Sequence, residues 1–394
     1  MTKQHPALRL KEIQPFRVME LLARAREMEA AGEDIVHMEI GEPDFATPAG
    51  VINAVQQQIS KGEVHYTPAT GMPALRLAIS DFYQTRYQCD VNAERIVITP
   101  GASGALHLVL ASILNPGQSV MMADPGYPCN RNFVRLLEGK TQLVTVDEST
   151  EYQLTYDLVK NNWQENTCAV LIASPSNPTG TLIKQDELKA IINFVEQQGA
   201  YVIVDEIYHG LIYDNLDYRS DANTALSYSE NLFIVNSFSK YFGLTGWRVG
   251  WIVAPVNMIR ELDKLAQNLY LAAPTPGQYA ALVSFSKDNI TELDKRRDAF
   301  QQRRDYLLPA LRDLGFEIPV QPQGAFYLYA NIQRYSDNSL KFSEALLQEA
   351  KVAITPGLDF GYYQADKYCR IAYTTSLERL KEGVSRLKKY LSDV

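Results

Sequence analysis

Five short, uniformly apolar runs through the middle of the chain constrain its fold more than any other feature. They are Arg95-Ile-Val-Ile-Thr99, Ser119-Val-Met-Met-Ala123, Cys168-Ala-Val-Leu-Ile-Ala173, Tyr201-Val-Ile-Val204 and Leu232-Phe-Ile-Val235. None alternates apolar with polar residues, as a strand with one wet face would. Runs of this kind suit strands covered on both faces. Between them lie segments with helical spacing, Gln185 to Gln198 among them. Strands alternating with helices predict an α/β fold: a mainly parallel central sheet, right-handed crossovers and helices on both faces.

Beyond about Lys287 the texture changes. A charged helical stretch, Leu293 to Asp313, precedes Gly324-Ala-Phe-Tyr-Leu-Tyr-Ala330, a helix near Ser343 to Ala350 and a strand near Cys369 to Tyr373. At the other end, Pro15 to Ala30 reads as an amphipathic helix with Phe16, Met19, Leu22 and Leu21 towards one side, and Thr47-Pro48 can start the next helix. The pattern predicts a large domain over 48–286 and a smaller α+β domain built from 1–47 and 287–394.

Charge and cysteine usage narrow the function. A formal net charge of −8 argues against a general nucleic-acid binder, which would show a basic face. Cys89, Cys129, Cys168 and Cys369 form no C-x-x-C pair, and the 5 histidines show no metal-ligand spacing, so no metal is expected. Met1 to Lys11 carries charges and no apolar leader core, and no apolar run is long enough to span a bilayer. The expectation is a cytoplasmic enzyme with reduced thiols and no membrane partner.

In open α/β sheets, ligands bind outside the carboxyl ends of the strands. All five predicted strand ends carry polar, site-like sequence. The last run leads into Ser237-Phe-Ser-Lys-Tyr-Phe-Gly-Leu-Thr-Gly-Trp-Arg248. There Lys240 is placed to reach a bound aldehyde, and Ser237 and Arg248 to grip a phosphate, Arg248 through its planar fork. Together they suggest pyridoxal phosphate, held by Lys240 as a Schiff base. The first strand end, Thr99-Pro-Gly-Ala-Ser-Gly-Ala105, opens a helix, whose Ala102 and Ser103 could hold the same phosphate; the alternative is a plain strand-to-helix connection.

The remaining ends fit the same ligand. Tyr127, in Asp124-Pro-Gly-Tyr-Pro128, could stack on the cofactor ring or pack in the core. Asn177, between two prolines in Ser174-Pro-Ser-Asn-Pro-Thr-Gly180, could donate to the phenolic oxygen or simply serve the turn. Asp205 follows Val-Ile-Val directly, where a carboxylate is expensive to bury unpaired. A protonated pyridine nitrogen would pair it; a turn cap is the alternative. Tyr208 is spaced to reach the same phenolic oxygen as Asn177. Arg370, opening the late strand Arg-Ile-Ala-Tyr373, could fix a substrate carboxylate with two hydrogen bonds or form a structural ion pair.

These motifs resemble the fold-type-I, class I and II aminotransferases that use pyridoxal phosphate, and most of all their γ-type subgroup of aspartate, aromatic and alanine aminotransferases. The resemblance rests on Gly41-Glu-Pro-Asp44, Tyr66-Thr-Pro-Ala-Thr-Gly71, Asp124-Pro-Gly-Tyr127, Ser176-Asn-Pro-Thr-Gly180, Asp205-Glu-Ile-Tyr208, Ser237 to Arg248 and Arg370. It implies Lys240 as cofactor lysine and proton carrier, Asp205 on the pyridine nitrogen, and Tyr208 and Asn177 on the phenolic oxygen. It also implies Ala102, Ser103, Ser237 and Arg248 on the phosphate and Tyr127 on the ring. Arg370, Asn177 and the Gly41 backbone would hold the substrate carboxylate. Tyr66 would reach the phosphate of the neighbouring subunit, which makes the expected assembly a homodimer with shared sites.

The reaction so implied is a ping-pong transfer of an amino group from an L-amino acid to a 2-oxo acid, with 2-oxoglutarate the expected acceptor. The same site architecture also serves C–S lyases and related eliminations, because the first proton abstraction is shared. A non-catalytic, cofactor-binding regulator is the third reading, but the resemblance begins near Pro15 and leaves no room ahead of it for a DNA-binding domain. The phosphate turn reads Gly-Ala-Ser, where some aspartate-specific relatives carry a lysine for the distal carboxylate.

Overall fold

The computed structural model describes residues 5–214, 216–218, 220 and 222–392. A short strand, β1 (Val36–His37), comes first. The central sheet is then built from β2 (Ile96–Thr99), β3 (Ser119–Asp124), β4 (Lys140–Thr145), β5 (Thr167–Ala173), β6 (Tyr201–Asp205), β7 (Phe233–Ser237) and β8 (Gly250–Val253). Its seven strands run in the order β2-β8-β7-β6-β5-β3-β4. Neighbours from β7 across to β4 are parallel, while β8 runs antiparallel to both β2 and β7. The five predicted strands are therefore present, in a mainly parallel sheet.

Two strands of this sheet were not foreseen. β4 is an edge strand whose exposure alternates along its length, so only part of it is apolar. β8 follows the Lys240 loop without an intervening helix, and so returns antiparallel. Helices pack on both faces. Inward side chains of the sheet divide between two cores, one holding Ile98, Val170 and Val204, the other Val97, Leu171 and Ile203. Consecutive strand residues thus face opposite cores, as the period of two requires.

The late part of the chain forms a small antiparallel sheet, in the order β11-β12-β9, from β9 (Tyr327–Asn331), β11 (Thr355–Pro356) and β12 (Tyr368–Ala372). Next to it β10 (Val352–Ala353) pairs in parallel with β1, which ties the N-terminal segment to the late one. A 27-residue helix, Lys287–Asp313, starts six residues before the predicted charged stretch. The predicted helix near Ser343 is two pieces, an α-helix over Ser339–Ala345 and a wider π turn over Leu346–Ala350.

The N-terminal helix spans Arg17–Ala30 and buries Val18, Leu21, Leu22 and Ala25, an i, i+3, i+4, i+7 stripe. Met19, predicted on the apolar side, is instead 53% exposed. Its start is pinned by Asp359, whose carboxylate accepts from the Arg17 and Val18 N–H groups at 3.1 and 2.9 Å. The helix after Thr47 spans Ala49–Ser60, with Pro48 as its N-cap rather than its first helical residue.

Candidate active site

The carboxyl ends of β2, β3, β5, β6 and β7 meet along one edge of the sheet, and a cavity opens there. Ala102, Ser103, Tyr127, Asn177, Asp205, Tyr208, Ser237, Lys240 and Arg248 all line it, together with Gly41 and Arg370 from outside the sheet. The structure brings together every predicted site residue except Tyr66. That tyrosine is 83% exposed and lies outside the cavity of its own chain.

One end of the cavity is a cradle for an anion. The helix Gly101–Ile113 begins directly after β2, so the N–H groups of its first turn have no helical partner. It can come this close because position 250 is glycine: a Cβ there would lie 2.7–2.9 Å from the Asn236 carbonyl, the Gly101 backbone and the Ala102 nitrogen. Ser237 ends β7, and its hydroxyl bonds the Ser239 hydroxyl at 2.9 Å. Arg248 sits in the left-handed region at φ 56°, donates to the Thr245 carbonyl at 2.9 Å, and pairs with no carboxylate among the described residues. A strained backbone that aims an unpaired cation into a cavity is typical of a ligand clamp.

Lys240 stands beside this cradle, and its loop is rigidly held. Phe238 and Phe242 pack together at 4.7 Å, Phe238 packs on Trp251 at 4.9 Å, and the Leu244 N–H bonds the Phe238 carbonyl at 2.9 Å. The amine donates to the Gly41 carbonyl at 2.7 Å. Burial lowers its pKa to about 8, helped by the fields of Arg370 and Arg248 and opposed by Glu42 and Asp205. A buried amine of this basicity is partly neutral near pH 7, as a nucleophile must be.

Asp205 ends β6 and is 4% exposed. Burial raises its carboxyl to about 7; Glu206 pushes the same way, while the Ile207 N–H and Lys240 pull it back. One oxygen accepts from the Ile207 N–H at 3.1 Å, so the turn-capping reading is partly correct. No cation lies within ion-pair distance of it among the described residues. The neighbouring Glu206 does not share the site: its oxygens are taken by the Thr224 hydroxyl and the Ala225 N–H.

Arg370 equips the cavity for a carboxylate. Arg370, in β12, is 2% exposed and pairs with no acid among the described residues. It donates to the Asn177 side-chain oxygen at 3.0 Å and to the Glu39 carbonyl at 2.5 Å, and its Nε is buried without a partner. Accepting from Arg370 leaves the Asn177 amide NH2 free to donate elsewhere. The Tyr327 ring lies 4.2 Å from the guanidinium, and its hydroxyl bonds that of Tyr208 at 2.8 Å. Only glycine fits at position 41, where a Cβ would meet that hydroxyl at 1.9 Å.

Tyr327, Glu39, Ser239, Phe16 and Met19 contribute to the site without having been assigned to it from sequence. Ser239 stood in the phosphate motif. Tyr327 carried no signal, because the apolar run around it reads as core. Phe16 and Met19 were read as a packing face.

As a whole, the cavity offers an anion cradle, a buried carboxylate without a cation, a buried arginine with a free donor, and an amine of lowered basicity. It fits a ligand that carries a phosphate, a protonated ring nitrogen and a carbonyl, with a carboxylic acid beside it.

Comparison with known proteins agrees with this chemistry. A curated relative from Methanocaldococcus jannaschii, a (5-formylfuran-3-yl)methyl phosphate transaminase, is 36% identical over 98% of this chain and 99% of its own. The valine–pyruvate aminotransferase of Mycobacterium tuberculosis is 34% identical over 96% of this chain and 97% of its own. The crystal structure of an aminotransferase from Mycobacterium tuberculosis superposes with a TM-score of 0.96 at 33% identity, with 100% of both chains covered. The model of the family "Aminotransferase class I and II" matches residues 33–387, and with the cavity and its lysine the conclusion is that this chain is an aminotransferase of that family.

Proposed function

We propose that the aminotransferase works with pyridoxal phosphate in this cavity, and that Lys240 and Asp205 are its central groups. The supporting observation is the buried, unpaired carboxylate of Asp205 in the same cavity as an anion cradle and an amine of lowered basicity. When bound, pyridoxal phosphate supplies the electron-withdrawing ring that acidifies the amino acid's α-carbon. Asp205 would pair with the ring nitrogen and keep it protonated. Arg248, Ser237 and the Ala102 and Ser103 N–H groups would hold the phosphate, Tyr127 would cover the ring, and Tyr208 and Asn177 would donate to the phenolic oxygen.

The substrate's α-carboxylate would meet Arg370, whose buried Nε gains a partner in this way, with Asn177 and the Gly41 backbone beside it. Lys240 would hold the cofactor at rest and, when released, carry the proton to and from the α-carbon on its Nζ. The small unit predicted from 1–47 and 287–394 supplies Gly41 and Arg370, so its approach to the unit over 48–286 would exclude water from the reacting atoms.

Transfer, and not elimination, is tested by product analysis. With one amino acid and no oxo acid, the holoenzyme should release a single equivalent of new oxo acid per site and stop, then resume when a second oxo acid is added. Continuous release of ammonia and pyruvate from a cysteine conjugate would favour a lyase instead.

We further propose a homodimer in which Tyr66 completes the partner's phosphate site. Its exposure in a single chain supports this reading, and symmetric dimers are the commonest assembly. Sedimentation should give twice the chain mass, and Tyr66→Phe should weaken cofactor binding about tenfold, the equivalent of one hydrogen bond to a charged group. A monomer with full activity would contradict it.

A further inference from the structure

Among the described residues, three cations line the cavity, Lys240, Arg248 and Arg370, with two acids, Asp205 and Glu42. Under the reading above, four of these are engaged: Lys240 and Asp205 with the cofactor, Arg248 with its phosphate and Arg370 with the substrate's α-carboxylate. The remaining charge, Glu42, is exposed and negative. A second carboxylate on the substrate would therefore meet no free cation of this chain among the lining residues, and would lie near an acid. Burying such a group unpaired is strongly unfavourable. Arg131 lines a smaller cavity that shares Tyr127, Ala173 and Asn177, but it donates to the Asp359 carbonyl at 2.7 Å and stacks on Tyr362 at 5.5 Å.

The wall not engaged by these groups is apolar. Phe16, Val18 and Met19 come from the N-terminal segment, and Ile40 from the strand-to-loop connection before Gly41. Phe16 packs edge-on against Tyr127, with centroids 6.3 Å apart. Asp359, 4% exposed, fixes the start of this helix through the Arg17 and Val18 N–H groups, so the wall is anchored. Met19 lies outside the helix's buried stripe and yet lines the cavity. An exposed, unbranched thioether at a cavity gains most when a ligand covers it, and adapts to side chains of different shape.

We propose that this aminotransferase selects donors with uncharged apolar side chains, aliphatic or aromatic, over dicarboxylic ones, and that Met19 is a specificity-determining contact. The proposal rests on the engagement of Arg370 and Arg248 described under the proposed function. Both half-reactions use one cavity, so the favoured acceptor is a monocarboxylic 2-oxo acid such as pyruvate, in place of the 2-oxoglutarate expected from family resemblance.

The test uses the purified holoenzyme with leucine, phenylalanine, aspartate and glutamate, each followed through the cofactor's absorbance change in a single half-reaction. The better of leucine and phenylalanine should exceed aspartate in kcat/KM by about 100-fold, the discrimination that a pocket of this kind can supply. Met19→Arg should narrow that ratio by about tenfold or more by raising the aspartate rate, through a new charge-assisted pair. Met19→Leu should keep the ratio near that of the wild type. Aspartate or glutamate equal to or ahead of leucine and phenylalanine overturns this inference and leaves the cofactor reading intact. An unchanged ratio in Met19→Arg overturns the role of Met19. Reaction with none of the four, in a protein that has taken up pyridoxal phosphate, overturns the inference and leaves the cofactor reading intact.

Discussion

Replacing Lys240 with alanine should lower kcat/KM by more than about 10⁴-fold with every donor, the scale seen when a group acting in both binding and proton transfer is removed. Three features of the structure converge on this residue. Its amine is held at the Gly41 carbonyl, 2.7 Å away, inside the cavity. Burial and two arginines lower its proton affinity to about 8. The aromatic cluster of Phe238, Phe242 and Trp251 stops its loop from relaxing. Folding should survive, because the substitution removes a buried cation from a cavity and leaves that cluster in place. The measurement is steady-state turnover together with the melting temperature. Wild-type turnover by Lys240→Ala would remove the basis for this site.

The second large effect belongs to Asp205. Asp205→Asn should lower kcat/KM by about 10³-fold, because the pair that Asp205 would form with the ring nitrogen lies in a low-dielectric site where fixed charge matters most. It should also change how the cofactor-free protein responds to pH. The folded carboxyl titrates at about 7 against an ordinary value of 3.8. Between those values the folded state keeps a proton that the unfolded chain has released. Stability therefore falls as pH rises through that window, by at most about 1.4 kcal/mol per pH unit. Lys240 acts in a different window. Its folded value near 8 lies below the ordinary 10.5, so its contribution to stability rises with pH only between those two values. Asp205→Asn should flatten the acidic slope and, by removing a negative charge that holds the Lys240 amine up, extend the alkaline one to lower pH. A cationic ring nitrogen relieves the burden on ionised Asp205, so pyridoxal phosphate should raise the wild-type melting temperature more at about pH 7.5 than at about pH 5. In Asp205→Asn that difference should shrink. Thermal melts with and without cofactor at both pH values decide it, and an acidic slope equal to the wild-type one in the variant would contradict the assignment.

The central sheet was legible because its inner strands are covered on both faces and so are apolar at every position, as in Val202, Ile203 and Val204 of β6. β4 escaped because an edge strand needs only one apolar face, and the exposed residues at its two ends, Lys140 and Thr145, blur the run. β1, β10 and β11 are two residues each, too short for any periodicity. The site was legible for a related reason. Residues such as Asp205 and Lys240 stand directly after apolar strands, where a charge is conspicuous. Met19 and Tyr327 were hidden because a methionine or tyrosine that lines a cavity has the same sequence signature as one that fills a core. Met19 was separated from the buried stripe only by which side of the helix Val18, Leu21, Leu22 and Ala25 occupy. Tyr66 lies outside the cavity of its own chain, and its role rests on the dimer proposed above.

The most direct test of the account is to locate the lysine that holds the cofactor. Purified protein, saturated with pyridoxal phosphate, would be reduced with borohydride, digested and mapped by mass spectrometry. The account predicts the cofactor-derived mass on the peptide that contains Lys240, and its disappearance when substrate is added before reduction. A label on another lysine, or none despite bound cofactor, would contradict it.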